Sequence, residues 1–348
     1  MANLYAYDPS APSLTEVFRK YFKVGAAINS WNLRKDSQEY AVLTKQFDVF
    51  TLENESKPEP THPEPDRWVF DGVDRFAAFG EETGKTLRGH TLVWHGQCPM
   101  WFFFGENREL VTEEVLIGRM KEHIRTVMGR YRGKISVWDV VNEVIRDEGG
   151  MRESLWYKIA GTNYIKEAFR TAREADPSAR LIINDYNLES SDAKADTMAA
   201  FVREMIEEGV PVDGIGLQMH LNLFDTDMEK LKKNVRKFTA LREIKLDLML
   251  EVTELDMSCY RWADESTDVE WTDELHGQFA AKYTELFDFY MELGEEGVLD
   301  SVVFWGLDDG HSWLNGFPRR HKNYPLLIAR DYELKKAFFD VVSLAEGK

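Results

Sequence analysis

Short apolar runs that end on polar side chains recur along this chain, and they alternate with longer stretches whose apolar residues return every three or four positions. A short apolar run between turn signals reads as a strand buried on both faces, and the wider spacing reads as a helix with one buried face. On that basis strands are predicted over 24–28, 47–52, 85–94, 135–143, 180–184, 214–218, 247–254 and 301–305. Helices are predicted between them, over 36–45, 73–82, 112–131, 154–175, 192–208, 227–241 and 272–293, with one over 332–344 closing the chain. Ser13-Leu14-Thr15-Glu16 has the form of a capping box and opens a further helix that carries Val17, Phe18, Tyr21 and Phe22. The helix over 112–131 should turn Val115, Met120, Ile124, Val127 and Tyr131 to one side. Prolines between Pro58 and Pro65 are too dense to continue either ladder, so that segment is predicted to be a loop.

Eight strand-like runs separated by helices, with no linker or low-complexity break, imply parallel strands joined by helical crossovers. The simplest closure is one α/β domain over 1–348, a single (β/α)8 TIM barrel. Such a barrel builds its active site from the carboxyl ends of the strands and the loops after them. Polar clusters fall at those predicted ends: Glu53-Asn54, His90, Asn142-Glu143, Asn184-Asp185, Gln218 with His220, Glu254, and Trp305. In the seventh run, Leu250, Val252 and Glu254 share a face by period two, which aims Glu254 along the barrel axis and Glu251 toward the helices. Two carboxylates delivered on strand ends suit the cleavage of an acetal by acid and nucleophilic catalysis. A separation of about 5–5.5 Å would retain configuration at the sugar carbon, and about 6.5–9.5 Å would invert it.

Charge narrows the partners. Lys plus Arg number 43 against 61 Asp plus Glu, a net charge of −18, which repels nucleic acid and anionic membranes and favours a neutral polymer. The 10 Trp supply core volume and flat faces on which sugar rings can stack. No run approaches membrane-spanning length, and Met1-Ala2-Asn3-Leu4 lacks the basic start and long apolar segment of an export signal. A cytoplasmic protein is expected, or a secreted one from which a signal has been removed. Cys98 and Cys259 alone do not make a disulfide framework. Gly80 to Thr86 imitates a phosphate loop but is one residue short and carries two acids, so it reads as a helix end capped by Gly84. Neither a Gly-x-Ser-x-Gly elbow nor a His-Glu-x-x-His pair is present. Asn54-Glu55-Ser56 matches a glycan acceptor, but a glycan there would block the strand end it flanks. A metal-dependent sugar isomerase on the same barrel is the competing enzyme class, separable by chelation, and a non-catalytic sugar-binding barrel is a third reading.

Six motifs follow one another in order. They are Thr51-Leu52-Glu53-Asn54 with Lys57, then Arg88-Gly89-His90-Thr91-Leu92-Val93-Trp94-His95, and Trp138-Asp139-Val140-Val141-Asn142-Glu143. After them come Asn184-Asp185-Tyr186-Asn187, Thr253-Glu254-Leu255-Asp256, and Phe304-Trp305-Gly306 followed by Trp313. Together, and over nearly the whole chain, they resemble family 10 of the glycoside hydrolases, the retaining endo-β-1,4-xylanases. The resemblance implies hydrolysis of xylan or xylo-oligosaccharides through a covalent glycosyl-enzyme intermediate, with no cofactor and no metal, by a monomer or weak homo-oligomer. A β-1,4-glucanase is the nearest rival among hydrolases. The resemblance makes Glu143 the acid/base and Glu254 the nucleophile. Asn142 would bond the sugar 2-hydroxyl, and His220, backed by Asp256, would orient Glu254. Glu53, Asn54, Lys57, His90, Trp94 and Gln218 would hold sugars on the non-reducing side, covered by Trp305 and Trp313, with Tyr186 on the leaving-group side and Gln97 a further substrate-binding residue. The chain looks most like the intracellular branch, which finishes imported xylo-oligosaccharides. His95, His123, His276 and His321 are assigned to structure or surface. Cys98 in the loop after the third strand, and Lys335-Lys336-Ala337 where a proline is often found, depart from the family's commonest wording.

Overall fold

A computed structural model describes residues 7–261 and 269–347. Among the described residues nine strands form: β1 (Lys23–Ile28), β2 (Val49–Leu52), β3 (Thr86–Val93), β4 (Val137–Asn142), β5 (Arg180–Asp185), β6 (Gly214–Leu217), β7 (His220–Asn222), β8 (Met249–Ser258) and β9 (Leu299–Phe304). The order across the sheet is β6-β5-β4-β3-β2-β1-β9-β8-β7, with a further pairing of β6 to β8, and this is the topology of the predicted (β/α)8 barrel. The helices are α1 (Leu14–Phe18), α2 (Gln38–Gln46), α3 (Pro58–Thr61), α4 (Asp71–Thr83), α5 (Glu113–Arg130), α6 (Leu155–Ala160), α7 (Asn163–Ala175), α8 (Asp192–Glu207), α9 (Met228–Thr239), α10 (Asp273–Glu295) and α11 (Lys336–Glu346). Among the described residues no helix is long and apolar enough to cross a membrane. By contacts the chain divides into two units, Thr51–Leu217 with Lys233–Leu250, and Met1–Phe50 with Gln218–Lys232 and Glu251–Lys348.

In the first unit β3 and β4 run parallel with Gly89 opposite Trp138. The indole fills the space a side chain at 89 would need, since a Cβ there would lie 2.1 Å from Trp138 Cε3. Trp138 is 1% exposed, and burying a side chain of that size contributes roughly 1.5–3 kcal/mol. Helix α4 ends at Gly84 with φ 70°, the left-handed cap expected of it. Helix α5 opens under Thr112, whose hydroxyl accepts from Val115 N, and buries Leu116, Met120, Ile124, Val127 and Met128. Val115, expected on the apolar side, is 42% exposed because Leu116 takes the first core position of the stripe. The proline-rich stretch is not all loop. Pro58–Thr61 forms one helical turn with Pro58 at its first position, where a missing N–H costs nothing and the fixed φ suits a helix. The predicted helix over 154–175 divides into α6 and α7 at Gly161, φ 55°.

In the second unit the capping box at Ser13 does not form. Ser13 makes no cap bond; its hydroxyl donates to Lys45 O, and Leu14 N is met by Gln46 Oε1, so tertiary partners on α2 replace the local ones. Stacked and tilted rings of Phe18, Phe22, Phe287 and Tyr290 fix α1 against α10. Strand β8 runs to Ser258, four residues past the predicted end. The extension exists because β7, which the apolar pattern does not announce, pairs with it in parallel, His220 opposite Asp256 and Asn222 opposite Ser258. Glu254 therefore lies within a strand and not at its end.

Candidate active site

Take the unit of residues 51–217 first. Leu52 closes β2, and the partly exposed Glu53 and Asn54 follow it. The turn of α3 carries Lys57, a residue 6% exposed, on its N-terminal side, and the ammonium group donates to Asn54 Oδ1 at 3.0 Å and to Gln97 Oε1 at 2.8 Å. It also sits 4.9 Å from the centre of the Trp94 ring, so an otherwise poorly solvated cation has two amide oxygens and a π face around it. Gln97 has φ 39°, a left-handed conformation uncommon outside glycine, and this turns its amide to Lys57. Deeper in β3, His90 Nδ1 meets Asp139 Oδ2 at 2.9 Å while Arg88 Nη2 donates to Asp139 Oδ1 at 2.8 Å. Burial pushes the Asp139 carboxyl up, but the charge of Arg88 and the bond from His90 outweigh it and hold it below the ordinary range. A buried carboxylate thus fixes the ring of His90.

Asn142 ends β4, and Glu143 follows with φ 58°, its N–H donating to Asn184 O at 2.9 Å. Asn184 Nδ2 donates to Asn142 Oδ1 at 3.0 Å, which orients the Asn142 amide so that its Nδ2 lies 3.4 Å from Glu143 Oε1. His95 Nε2 stands 3.8 Å from Glu143 Oε2; burial lowers the His95 pKa, and the charge of Glu143 opposes that only in part. A cavity of about 540 Å³ opens beside these groups, lined among others by His95, Phe103, Arg152, Trp156 and Tyr186.

In the other unit the pairing of β7 with β8 sets His220 between two acids. Its Nδ1 is 3.0 Å from Asp256 Oδ1 and its Nε2 is 3.2 Å from Glu254 Oε2. Burial acts to lower the imidazole pKa, but Asp256 and then Glu254 outweigh it and push it up to about 10, so both ring nitrogens are donors at neutral pH. Trp313 Nε1 donates to the other oxygen of Asp256 at 2.7 Å. The rings of Trp313 and Trp305 lie 5.1 and 6.4 Å from that of His220. Glu254 is 4% exposed, and its backbone N–H donates to the carbonyl of Gln218, itself buried. Hydrogen-bonded in this way, the carboxylate has one defined orientation.

The pattern of glycosyl hydrolase family 10 matches residues 13–344. The chain belongs to that family. It is 37% identical to endo-1,4-beta-xylanase A of Halalkalibacterium halodurans, covering 95% of this chain and 86% of that one. To an endo-1,4-beta-xylanase of Geobacillus stearothermophilus it is also 37% identical, over 96% of this chain and 99% of the other. Among solved structures, the family 10 structure from Paenibacillus barcinonensis superposes with a TM-score of 0.92 at 37% identity, covering 97% and 98% of the two chains. A glutamate-to-alanine mutant solved in complex with xylotriose gives 0.89 at 36% identity, covering 95% of this chain and 99% of that one.

Two side chains beside Glu143 in this family 10 chain were not singled out by sequence. His95, assigned to structure or surface, comes within 3.8 Å of the Glu143 carboxyl. Arg152 donates through Nε to Glu143 O at 2.7 Å although nine residues separate them. The trace of that return is Gly149-Gly150, with φ 87° and 76°, a turn signal that reverses the loop. Both cysteines are free.

Proposed function

We propose that this family 10 hydrolase cleaves β-1,4-xylosidic bonds of xylan and xylo-oligosaccharides by double displacement, with Glu254 as nucleophile and Glu143 as acid/base. The likeness to endo-1,4-β-xylanases over nearly the full length carries the activity. In the first step Glu254 attacks the anomeric carbon while Glu143 gives its proton to the departing glycosidic oxygen, leaving a glycosyl ester. In the second, Glu143 takes a proton from water, the water oxygen attacks the same carbon, and Glu254 is released. Asn142 bonds the sugar 2-hydroxyl, an interaction that strengthens as positive charge develops at the neighbouring carbon. Lys57, Asn54, Gln97, Glu53, His90, Trp94 and Gln218 hold sugars on the non-reducing side, with Trp305 and Trp313 against their faces and Tyr186 beyond the scissile bond.

The observation that carries the nucleophile's assignment is His220, which donates to Glu254 at 3.2 Å while Asp256 holds its far nitrogen at 3.0 Å. Double displacement demands carboxyl groups about 5–5.5 Å apart. The product tests that demand directly: the first sugar released from xylohexaose, followed by proton NMR, should be the β anomer, and an α product would sink the mechanism. Glu254→Ala should abolish turnover of every substrate. Glu143→Ala should lower kcat/KM about 100-fold or more on xylo-oligosaccharides and far less on an aryl xylobioside whose leaving group departs without a proton. Xylan should be hydrolysed in preference to carboxymethyl-cellulose. The narrower reading, an intracellular enzyme that finishes short xylo-oligosaccharides, predicts faster turnover of xylohexaose than of polymeric xylan and recovery of the activity in the cytoplasmic fraction.

A further inference from the structure

Arg152 makes four hydrogen bonds that tie two parts of the leaving-group side together. Its backbone N–H donates to Val144 O at 2.7 Å, its Nε to Glu143 O at 2.7 Å, and its Nη2 to Tyr186 Oη at 2.7 Å and to Ile145 O at 3.4 Å. The planar fork of a guanidinium fixes the angle between such acceptors, which an ammonium group cannot do. Glu143 sits at φ 58°, a conformation that a non-glycine residue keeps only when its surroundings hold it, and Arg152 and Asn184 O are the bonds that do so. Tyr186 is held from below by Lys194, whose ammonium group lies 3.4 Å from the ring centre and 2.9 Å from the buried Asp185. Asp185 Oδ2 in turn accepts from Ile145 N at 3.0 Å, closing a ring of contacts back to the segment that carries Glu143. Arg152 and Tyr186 both line the cavity of about 540 Å³.

A phenol has one proton to give and lone pairs to accept with. Because Arg152 occupies the accepting side, the Tyr186 O–H is the remaining donor, and among the described residues nothing accepts it. We infer that Arg152 is a positioning residue that locks the backbone of Glu143 to the hydroxyl of Tyr186 and turns that hydroxyl, as a donor, toward the sugar that leaves. The inference deepens the reading of Glu143 as the acid: proton delivery and recognition of the leaving sugar are one rigid bracket.

The test compares xylotetraose with 2,4-dinitrophenyl β-xylobioside in Arg152→Met, Arg152→Lys, Tyr186→Phe and the Met/Phe double variant. Misplacing a reacting group by about 1 Å costs on the order of 100-fold, so Arg152→Met should lower kcat/KM, which reports the first step alone, on xylotetraose by about that factor and leave kcat/KM on the aryl substrate within about tenfold. Arg152→Lys should not restore it, and the double variant should be no worse than Arg152→Met alone. Equal losses on both substrates, rescue by Lys, or additive effects would overturn the bracket. If Arg152→Met fails to fold in a thermal melt, Tyr186→Phe decides alone: kcat/KM should fall on xylotetraose and hold on the aryl substrate, and an unchanged xylotetraose rate overturns the inference. Glu143→Ala runs beside them. If it loses equally on both substrates, the acid assignment and the bracket fall together; if it discriminates and Arg152→Met does not, the bracket alone is wrong.

Discussion

At His220 a single imidazole serves two carboxylates, and its charge follows from them. Its pKa is pushed from 6.5 to about 10 in the fold, so the unfolded chain sheds this proton first as pH rises. The stabilisation is therefore complete below about pH 6.5 and is withdrawn as pH climbs toward 10. Thermal melts of wild type and His220→Asn across that range should show a gap that is widest near pH 6 and narrows steadily on the alkaline side. A gap independent of pH would mean that the ring is not the shared cation. The motif Thr253-Glu254-Leu255-Asp256 was legible in sequence, and the family resemblance named His220 as the partner of Glu254 and Asp256, but not which ring nitrogen faces which acid. The 34-residue separation of His220 and Glu254 carries no local signal of that meeting, which the resemblance alone supplied.

Among the elements, strands were legible where an apolar run is long and bounded, as in β4 and β5, and poorly legible where pairing extends one. The stretch His220–Asn222 is too short to show a period, and only its partner β8 makes it a strand. Ser13 failed as a capping box for a tertiary reason too, since its hydroxyl donates to Lys45 O on α2 and makes no cap bond. Glycines separate the two kinds of constraint sharply. Gly89→Ala should destabilise by about 1–3 kcal/mol, because its Cβ would meet the Trp138 ring at 2.1 Å and neither strand of a parallel ladder can move away. Gly118→Ala, in the middle of α5 with nothing within 4 Å of the added atom, should stabilise by about 0.5–1 kcal/mol. Chemical denaturation of the two variants checks both signs, and a loss at 118 comparable to that at 89 would show that local space is not what decides them.

For the molecule as a whole the acidic excess is the dominant fact of composition. With a net charge of −18, like-charge repulsion should be the term most sensitive to salt. Raising sodium chloride from about 0.01 to about 0.15 M shortens the screening length from roughly 30 to roughly 8 Å, so the melting temperature should rise. A fall would mean that surface ion pairs such as Lys166 with Glu204 and Glu208 outweigh the repulsion. By itself the sequence determined the alternation of strands and helices, hence the barrel topology, and the six motifs that identify the family. Both depend on local periodicity and on residue identity in short spans, which a linear chain carries openly. Only the tertiary structure decided that Asp139 anchors His90, that Lys57 joins Asn54 to Gln97, and that Arg152 returns to Glu143 and Tyr186. Those are distances between side chains far apart in the chain, set by strand register and loop reversal, and no single stretch of sequence contains them.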